Sequence, residues 1–415
     1  MHFNISKIES PGIMSNKVYV NRTLNLKKIK YLGLDMDHTL IRYKSENFEK
    51  LAYTHMIQRL VDQKGYPQIL LSLKFDHNIA IRGLVIDRPR GNLLKLNRYA
   101  SIRAALHGTK PLDFKTLQKI YKSTYIDLNS DDYLAIDTAF SISMAVLYSQ
   151  VIEVKDSDPK LTFPNYSVVA DDLLEVLDDL HRDGTLKNIV RKNLEHYLIK
   201  DPLVVEGLEK FKRHEKKIFL LTNSDFHYTK LLLDYAINPF LKDHKDWSEL
   251  FEYVITFAQK PKFFYEEQRF LSVDPQNGTM TNIEGKIIPG VYQGGGAKKF
   301  TREIQVQGDD ILYLGDHIYG DILRLKKDCN WRTAMVVEEL DIEIEQNKKA
   351  EPTNQEIEHL MKKKEPMEDR LTLLTTEKID EQHKAQKLSK EYKSPKNIEL
   401  SKMLTIFPSN FFICY

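Results

Sequence analysis

The chain has 415 residues, long enough for a core and a second module, and 42% of them are apolar. Its 61 Lys and Arg nearly cancel its 59 Asp and Glu, which removes the electrostatic case for a nucleic-acid or membrane-surface partner. Two cysteines, Cys329 and Cys414, exclude a disulfide framework and a cysteine metal site, and they suit a reducing compartment.

In chain order, Met1 to Lys17 has no apolar stretch ahead of a small-residue cleavage site, so a cytoplasmic address is expected. Asn21-Arg22-Thr23 matches a glycosylation sequon, an accidental match without export. No segment approaches the roughly 18 apolar residues that a membrane span needs. Ile29 to Leu34 is a short apolar run that stops at Asp35. Phe48 to Val61 has helical periodicity, and Gly83 to Ile86 with Asn92 to Leu96 reads as a strand pair. Leu173 to Tyr197 is helical again. Ile218 to Leu221 ends in Thr222, Asn223 and Ser224, and Ile311 to Leu314 ends in Gly315 and Asp316. A helical stretch, Asp321 to Lys327, leads to a further strand at Thr333 to Val337.

Apolar runs that end at polar residues are the mark of buried parallel strands, whose C-terminal edge is where open α/β sheets bind ligands. The expected fold is therefore α/β, with a doubly wound parallel sheet formed by residues 1–45 and 201–345. Structureless loops beyond about 12–15 residues are uncommon, so residues 46–200 read as a large inserted cap, mainly helical. Residues 346–415 form a charged extension in which Ile357, Leu360 and Met361 precede Pro366, and Leu371 and Leu374 follow it. Solvated or packed helices account for it. Its apolar end, Ile406 to Tyr415, fits a docking segment or an oligomer contact equally.

The chemistry concentrates in Asp35-Met36-Asp37-His38-Thr39-Leu40. On an extended strand end, Asp35 and Asp37 would face one side, and two close carboxylates need a cation or a shared proton. Magnesium supplies such a cation and prefers oxygen ligands. Thr222 offers a hydroxyl to a phosphate oxygen or a helix N-cap. Gly315-Asp316-His317-Ile318-Tyr319-Gly320-Asp321 adds two carboxylates, and Lys260 stands in Gln259-Lys260-Pro261. Taken singly these are a turn, a cap and a surface lysine; their order is what carries information. No G-x4-G-K-[ST] occurs, and Gly294-Gly295-Gly296 reads as a flexible loop.

That order, D-x-D-x-T, a strand-ending Thr, Lys and G-D-x4-D, resembles the four motifs of the haloacid-dehalogenase superfamily. Longer segments resemble its cytosolic purine (IMP-GMP-specific) 5'-nucleotidases: Val20 to Leu24, Asp35 to Ser45, Arg82 to Val85, Gly91 to Lys95, Leu221 to Asp225 and Gly315 to Leu323. The resemblance implies Asp35 as nucleophile and Asp37 as acid and base. It implies Mg2+ held by Asp35, the Asp37 backbone carbonyl and Asp316, with Asp321 supporting the metal or Lys260. Lys260 and Thr222 would stabilise the phosphoryl oxygens, with Asn223 and Ser224 on the substrate. It also implies a homo-oligomer, dimer or tetramer, and possible transfer of the phosphoryl group to another nucleoside.

Asp178, His181 and Lys187 fall where the family's cap reads the base; a solvated helix face explains them equally. Leu174 replaces a base-contacting arginine, His38 stands in place of a tyrosine, and the acidic tail of some members is absent. Lys327 matches one basic position of the family's effector region. Two alternatives to a nucleotidase remain: a phosphatase of the same fold for another small phosphomonoester, and a catalytically silent regulatory protein.

Overall fold

The computed structural model describes residues 18–20, 23–97, 100–122, 124–283 and 285–391. Asn21, Arg22 and the apolar end from Ile406 to Tyr415 lie outside the described residues. The chain divides into two compact units, one of them Val18–Val337. The other takes up the chain again at Glu338, a few residues before the expected boundary. Its described part is two helices, Leu340–Lys349 and Glu351–Glu391, the second exposed from Glu351 to Ser389 and laced by Glu358–Lys362 and Lys364–Glu368 pairs.

The larger unit is built on an eight-stranded sheet. In spatial order its strands are Met280–Asn282, Phe270–Val273, Gly290–Gly294, Tyr253–Thr256, Lys217–Leu221, Tyr31–Leu34, Ile311–Gly315 and Arg332–Met335. From Gly290–Gly294 onward neighbours run parallel, and the two strands at the other edge are antiparallel. Both faces are covered. Leu32, Ile218 and Leu220 join a large aliphatic cluster, while Phe219, Phe264, Phe300, Tyr313 and Trp331 form an aromatic one on the opposite side. Burial on two faces is why these strands read as unbroken apolar runs. Parallel alignment then brings Asp35, Thr222 and Asp316 to one edge.

The insertion leaves and re-enters through a two-stranded neck, Arg42–Tyr43 paired with Leu198–Ile199. Within it, helix Ser45–Lys64 packs against helices Ile142–Ser157 and Tyr166–Arg182. The helical stretch expected at 173–197 is split, by a turn at Asp183-Gly184 and another at Asn193, into Tyr166–Arg182, Thr185–Lys192 and Leu194–Tyr197. The insertion also holds a five-stranded antiparallel sheet, ordered Lys110–Pro111, Ile102–His107, Asn92–Leu96, Leu84–Asp87, Tyr133–Ile136. Only its middle pair was expected; Ile102–His107 has a single buried residue, Ala105, and lacks a clean alternation.

The glycine run expected as a flexible loop is a closely packed link between the strand Gly290–Gly294 and the helix Ala297–Glu303. A Cβ on Gly295 would overlap the Phe270 ring, and one on Gly296 would lie 2.6 Å from the Glu266 carbonyl oxygen. Gly33 answers a similar constraint at the sheet centre. It pairs with Phe219 on one side and Tyr313 on the other, and a Cβ there would overlap both rings. Gly33→Ala is therefore expected to destabilise the larger unit by about 1–3 kcal/mol through overpacking. A lowered urea midpoint at unchanged m-value is the readout, and an unchanged midpoint would contradict this packing.

Candidate active site

The strand Tyr31–Leu34 is continued by the Asp35 amide, which donates to the Leu314 carbonyl at 2.9 Å. The chain then turns instead of extending. The Ile41 amide donates to the Met36 carbonyl at 2.8 Å, and His38 takes a φ of 55°. Asp35 and Asp37 do line one cavity, of about 170 Å³, but through this turn and not through strand alternation. Met36, fully buried, is the side chain the turn leaves in the core.

Lys260 is the hub. Its ammonium lies 2.7 Å from Asp35 Oδ1, 2.7 Å from Asp321 Oδ1 and 3.0 Å from the Tyr313 hydroxyl, with 5% of the side chain exposed. Asn223 fixes the loop that carries it: its Oδ1 accepts the Lys260 amide at 2.6 Å, and its Nδ2 donates to the Lys260 carbonyl at 3.0 Å. Burial alone would lower the lysine's proton affinity, but Asp321 and Asp35 outweigh burial and raise it, so the ammonium stays charged.

The third strand end places Asp316 and Asp321. After Gly315 the backbone enters a π-helical turn, Ile318–Leu323, a form that recurs at functional sites. It brings the Asp321 carboxylate back so closely that any Cβ on Gly315 would overlap it. Asp321 Oδ2 also accepts the His317 amide at 3.2 Å. Asp316 is pushed up to about 7, by burial first and then by Asp321, against the opposing pull of Arg82 and Lys260. Arg82 reaches it from the insertion, with Nη1 3.5 Å from the carboxylate and donating to the Asp316 carbonyl at 3.1 Å.

Carboxylate oxygens of Asp35, Asp316 and Asp321, all buried, lie within 4.8 Å of one another. Burial, Asp321 and Asp37 all oppose ionisation of Asp35, with Lys260 partly offsetting them. Buried carboxylates in excess of the two cations call for another positive charge, and an all-oxygen donor set suits a hard divalent ion. The Asp37 carboxylate is not part of this cluster. Tyr43 donates to its Oδ1 at 2.6 Å and Ser224 to its Oδ2 at 2.9 Å.

Thr222 is fully buried, and its Oγ1 accepts the Ser224 amide at 3.0 Å. It shapes the turn that presents Asn223 and Ser224, while Asp225 caps the helix Phe226–Ala236. Beyond Asp37 opens a second cavity of about 420 Å³, which shares Asp37, Phe140 and Asn223 with the first. Asp178, His181 and Lys187 all line it, His181 and Lys187 half-buried and Asp178 exposed. Lys187 Nζ donates to Ser224 Oγ at 3.2 Å, tying insertion to core. Asp178 is the most exposed of the three. Leu174 packs against the aliphatic core, and Arg182 is the nearby arginine that lines the cavity.

Sequence reasoning missed Phe140, Tyr43 and Tyr228 on these walls, and the role of Arg82 beneath them. Arg82 and Tyr43 fall within segments that carry the family resemblance. Phe140 and Tyr228 have no local motif; only the fold brings them here.

A sequence model of the 5' nucleotidase family matches residues 18–407. A 5'-nucleotidase domain-containing protein of Dictyostelium discoideum is 31% identical over 344 residues, covering 80% of this chain and 57% of that protein. The 5'-nucleotidase domain-containing protein 2 of Homo sapiens is 25% identical over 346 residues, 79% of this chain and 64% of the relative. The chain thus spans 57% and 64% of the length of these curated relatives. Among solved structures, an archaeal β-phosphoglucomutase from a Pyrococcus strain matches 73% of this chain and 84% of its own at 11% identity, with a TM-score of 0.33. So distant a likeness does not bear on the chemistry.

His181 yields a test of the second cavity. Its ring packs on Phe140 at 5.3 Å, and its Nε2 has no hydrogen-bond partner among the described residues. Burial, then Lys187, lowers it to about 4, against the pull of Asp37. Between that value and 6.5 the unfolded chain binds a proton that the folded chain does not, so stability falls as pH drops through this window. His181→Phe is expected to remove about 1–2 kcal/mol of the stability lost between pH 7 and pH 5, measured by urea unfolding. An equal loss in wild type and variant would contradict the buried neutral ring.

Proposed function

The chain belongs to the 5'-nucleotidase family, and we propose that it hydrolyses nucleoside 5'-monophosphates to nucleoside and phosphate through an aspartyl-phosphate on Asp35. The observation that carries this reading is the pair of cavities meeting at Asp37. One is small and lined by carboxylates and a buried lysine, as a phosphoryl group requires. The other is larger and walled by Phe48, Phe140 and His181, as a nucleoside requires.

In the first step an Asp35 carboxylate oxygen attacks phosphorus and the bond to the ribose O5' breaks. The electron pair leaves on O5', which takes its proton from Asp37. In the second step water attacks the acyl phosphate, Asp37 takes the proton, and the bond to Asp35 breaks to release phosphate. Lys260 lies where it can balance charge on the equatorial oxygens, and Asp321 keeps it there. Asp35, Asp316 and the Asp37 backbone carbonyl, with Asp321 behind them, would hold Mg2+, which when bound supplies charge neutralisation for the phosphoryl group. Transfer of the phosphoryl group to a second nucleoside, in place of water, is part of the proposal.

The insertion acts in this reading as the cap that selects the substrate. Lys187 and Arg182 give the larger cavity a donor-rich wall, suited to the O6 and N7 acceptors of hypoxanthine and guanine. IMP and GMP are therefore placed ahead of AMP, whose exocyclic group is a donor. A cytoplasmic address and a homo-oligomeric assembly complete the proposal, resting on the cysteine-poor composition and the family resemblance.

Phosphate release from IMP, GMP, AMP, UMP and several sugar phosphates, with and without Mg2+, tests it. Release from purine nucleotides is expected only with Mg2+, and Asp35→Asn should lower it by at least about 10³-fold. Release from sugar phosphates alone would keep the chemistry and sink the nucleotidase. Silence from the folded protein toward every ester would favour a regulatory role.

A further inference from the structure

The carboxylate of Asp37 is gripped on both oxygens, and the two grips differ in kind. Ser224 Oγ, which donates to Oδ2, also meets Lys187 from the insertion, so that bond depends on an element that substrate also touches. The other side belongs to a buried pair. Tyr43 donates its one hydroxyl proton to Oδ1 at 2.6 Å, so the 3.0 Å contact between the Tyr43 and Tyr228 hydroxyls must have Tyr228 as donor. A single file of bonds therefore runs from Tyr228 through Tyr43 to Asp37. Each tyrosine is 2% exposed.

The surroundings hold this file still. Tyr43 stacks on His38 at 4.8 Å and meets the edge of Phe48 at 5.3 Å. It comes from the neck strand Arg42–Tyr43, through which the chain passes from core to insertion. Tyr228 stands in the first turn of the helix Phe226–Ala236, its amide held by Asp225 at 2.9 Å. The cations of Lys187 and Arg191 lie 5.0 and 5.4 Å over its ring.

We propose that Tyr43, backed by Tyr228, is the positioning residue that aims Asp37 at the departing ester oxygen. The inference rests on the acid and base role proposed for Asp37 above. As the P–O5' bond breaks and the proton moves from Asp37 to O5', negative charge develops on the Asp37 carboxylate. A hydrogen bond donated to a carboxylate is stronger than one donated to a carboxylic acid, so the Tyr43 bond gains strength in the transition state. Together with the Ser224 bond to the other oxygen, it also fixes the plane of the carboxyl group. Tyr43 touches neither phosphorus nor the leaving oxygen in this account; it acts through Asp37.

The test separates aim from architecture by changing one atom of the substrate. Take the nucleotide that wild type hydrolyses fastest among IMP, GMP, AMP and UMP, and its analogue with sulfur in place of the bridging O5'. The base and ribose are the same in both, but a departing thiolate needs no proton. For Tyr43→Phe, kcat/KM is expected to fall by roughly 10–100-fold on the oxygen ester and to stay within about threefold on the sulfur ester. Tyr228→Phe should show the same split at smaller size, and the double variant should be no worse than Tyr43→Phe, because Tyr228 acts only through Tyr43. Should Tyr43→Phe fail to fold, Tyr228→Phe, which leaves Tyr43 in place, carries the test. Equal losses on both esters, or no loss on either, would overturn the inference while leaving the nucleotidase intact. Wild type silent toward the oxygen esters would instead bring down the reading on which it rests.

Discussion

A lysine ammonium with 5% of its side chain exposed, 2.7 Å from each of two buried carboxylates, is a costly arrangement to fold. Each ion gives up its hydration, and the mutual attraction repays this only when geometry is tight and the remaining polar atoms are satisfied. The protein meets that condition by drawing on several strand ends. Asp35 follows Tyr31–Leu34, Asp321 returns through a wide turn after Ile311–Gly315, and Tyr313 contributes its hydroxyl from below. Asn223, after Lys217–Leu221, ties both backbone groups of Lys260. Sheet order makes this possible, since the strands that lead to these groups are neighbours within reach of one lysine.

The same cluster is short of positive charge. Asp316 has Arg82 as its nearest cation, and its carboxyl is still pushed up to about 7 by burial and by Asp321. An arrangement that only stabilised the fold would not keep three converging carboxylates around one lysine, since replacing buried ions by apolar groups is often neutral or better for stability. The surplus of negative charge is sensible if the resting site awaits a cation and a phosphoryl group. Asp37, turned away from the cluster toward the wider cavity, then stands between the phosphoryl end and the leaving-group end.

What the sequence disclosed follows from how each part is buried. Tyr31–Leu34, Lys217–Leu221 and Ile311–Gly315 were legible because two-sided burial writes them as apolar runs with a polar stop. Tyr253–Thr256 is as buried, yet its flanks carry no such stop, and it was missed. The antiparallel edge was missed too, because Met280–Asn282 is exposed throughout. Site carboxylates were legible because their spacing is local. Phe140 and Tyr228 were not, because each comes from a separate stretch of chain and meets Asp37 only in the fold. The turn at Met36 shows a further limit. Asp35 and Asp37 were expected to share a cavity, and they do, although the backbone geometry differs from the extended one that motivated the expectation.

The central claim is that the Asp35 carboxylate, beside Lys260, becomes covalently phosphorylated. Rapid acid quench of the protein, mixed with Mg2+ and nucleotide labelled in the phosphoryl group, tests it most directly. The account predicts label on the protein within one turnover, acid-stable, discharged by hydroxylamine as an acyl phosphate should be, and mapping to the peptide that contains Asp35. Turnover of nucleotide with no labelled protein at any quench time, or label on another residue, would contradict it.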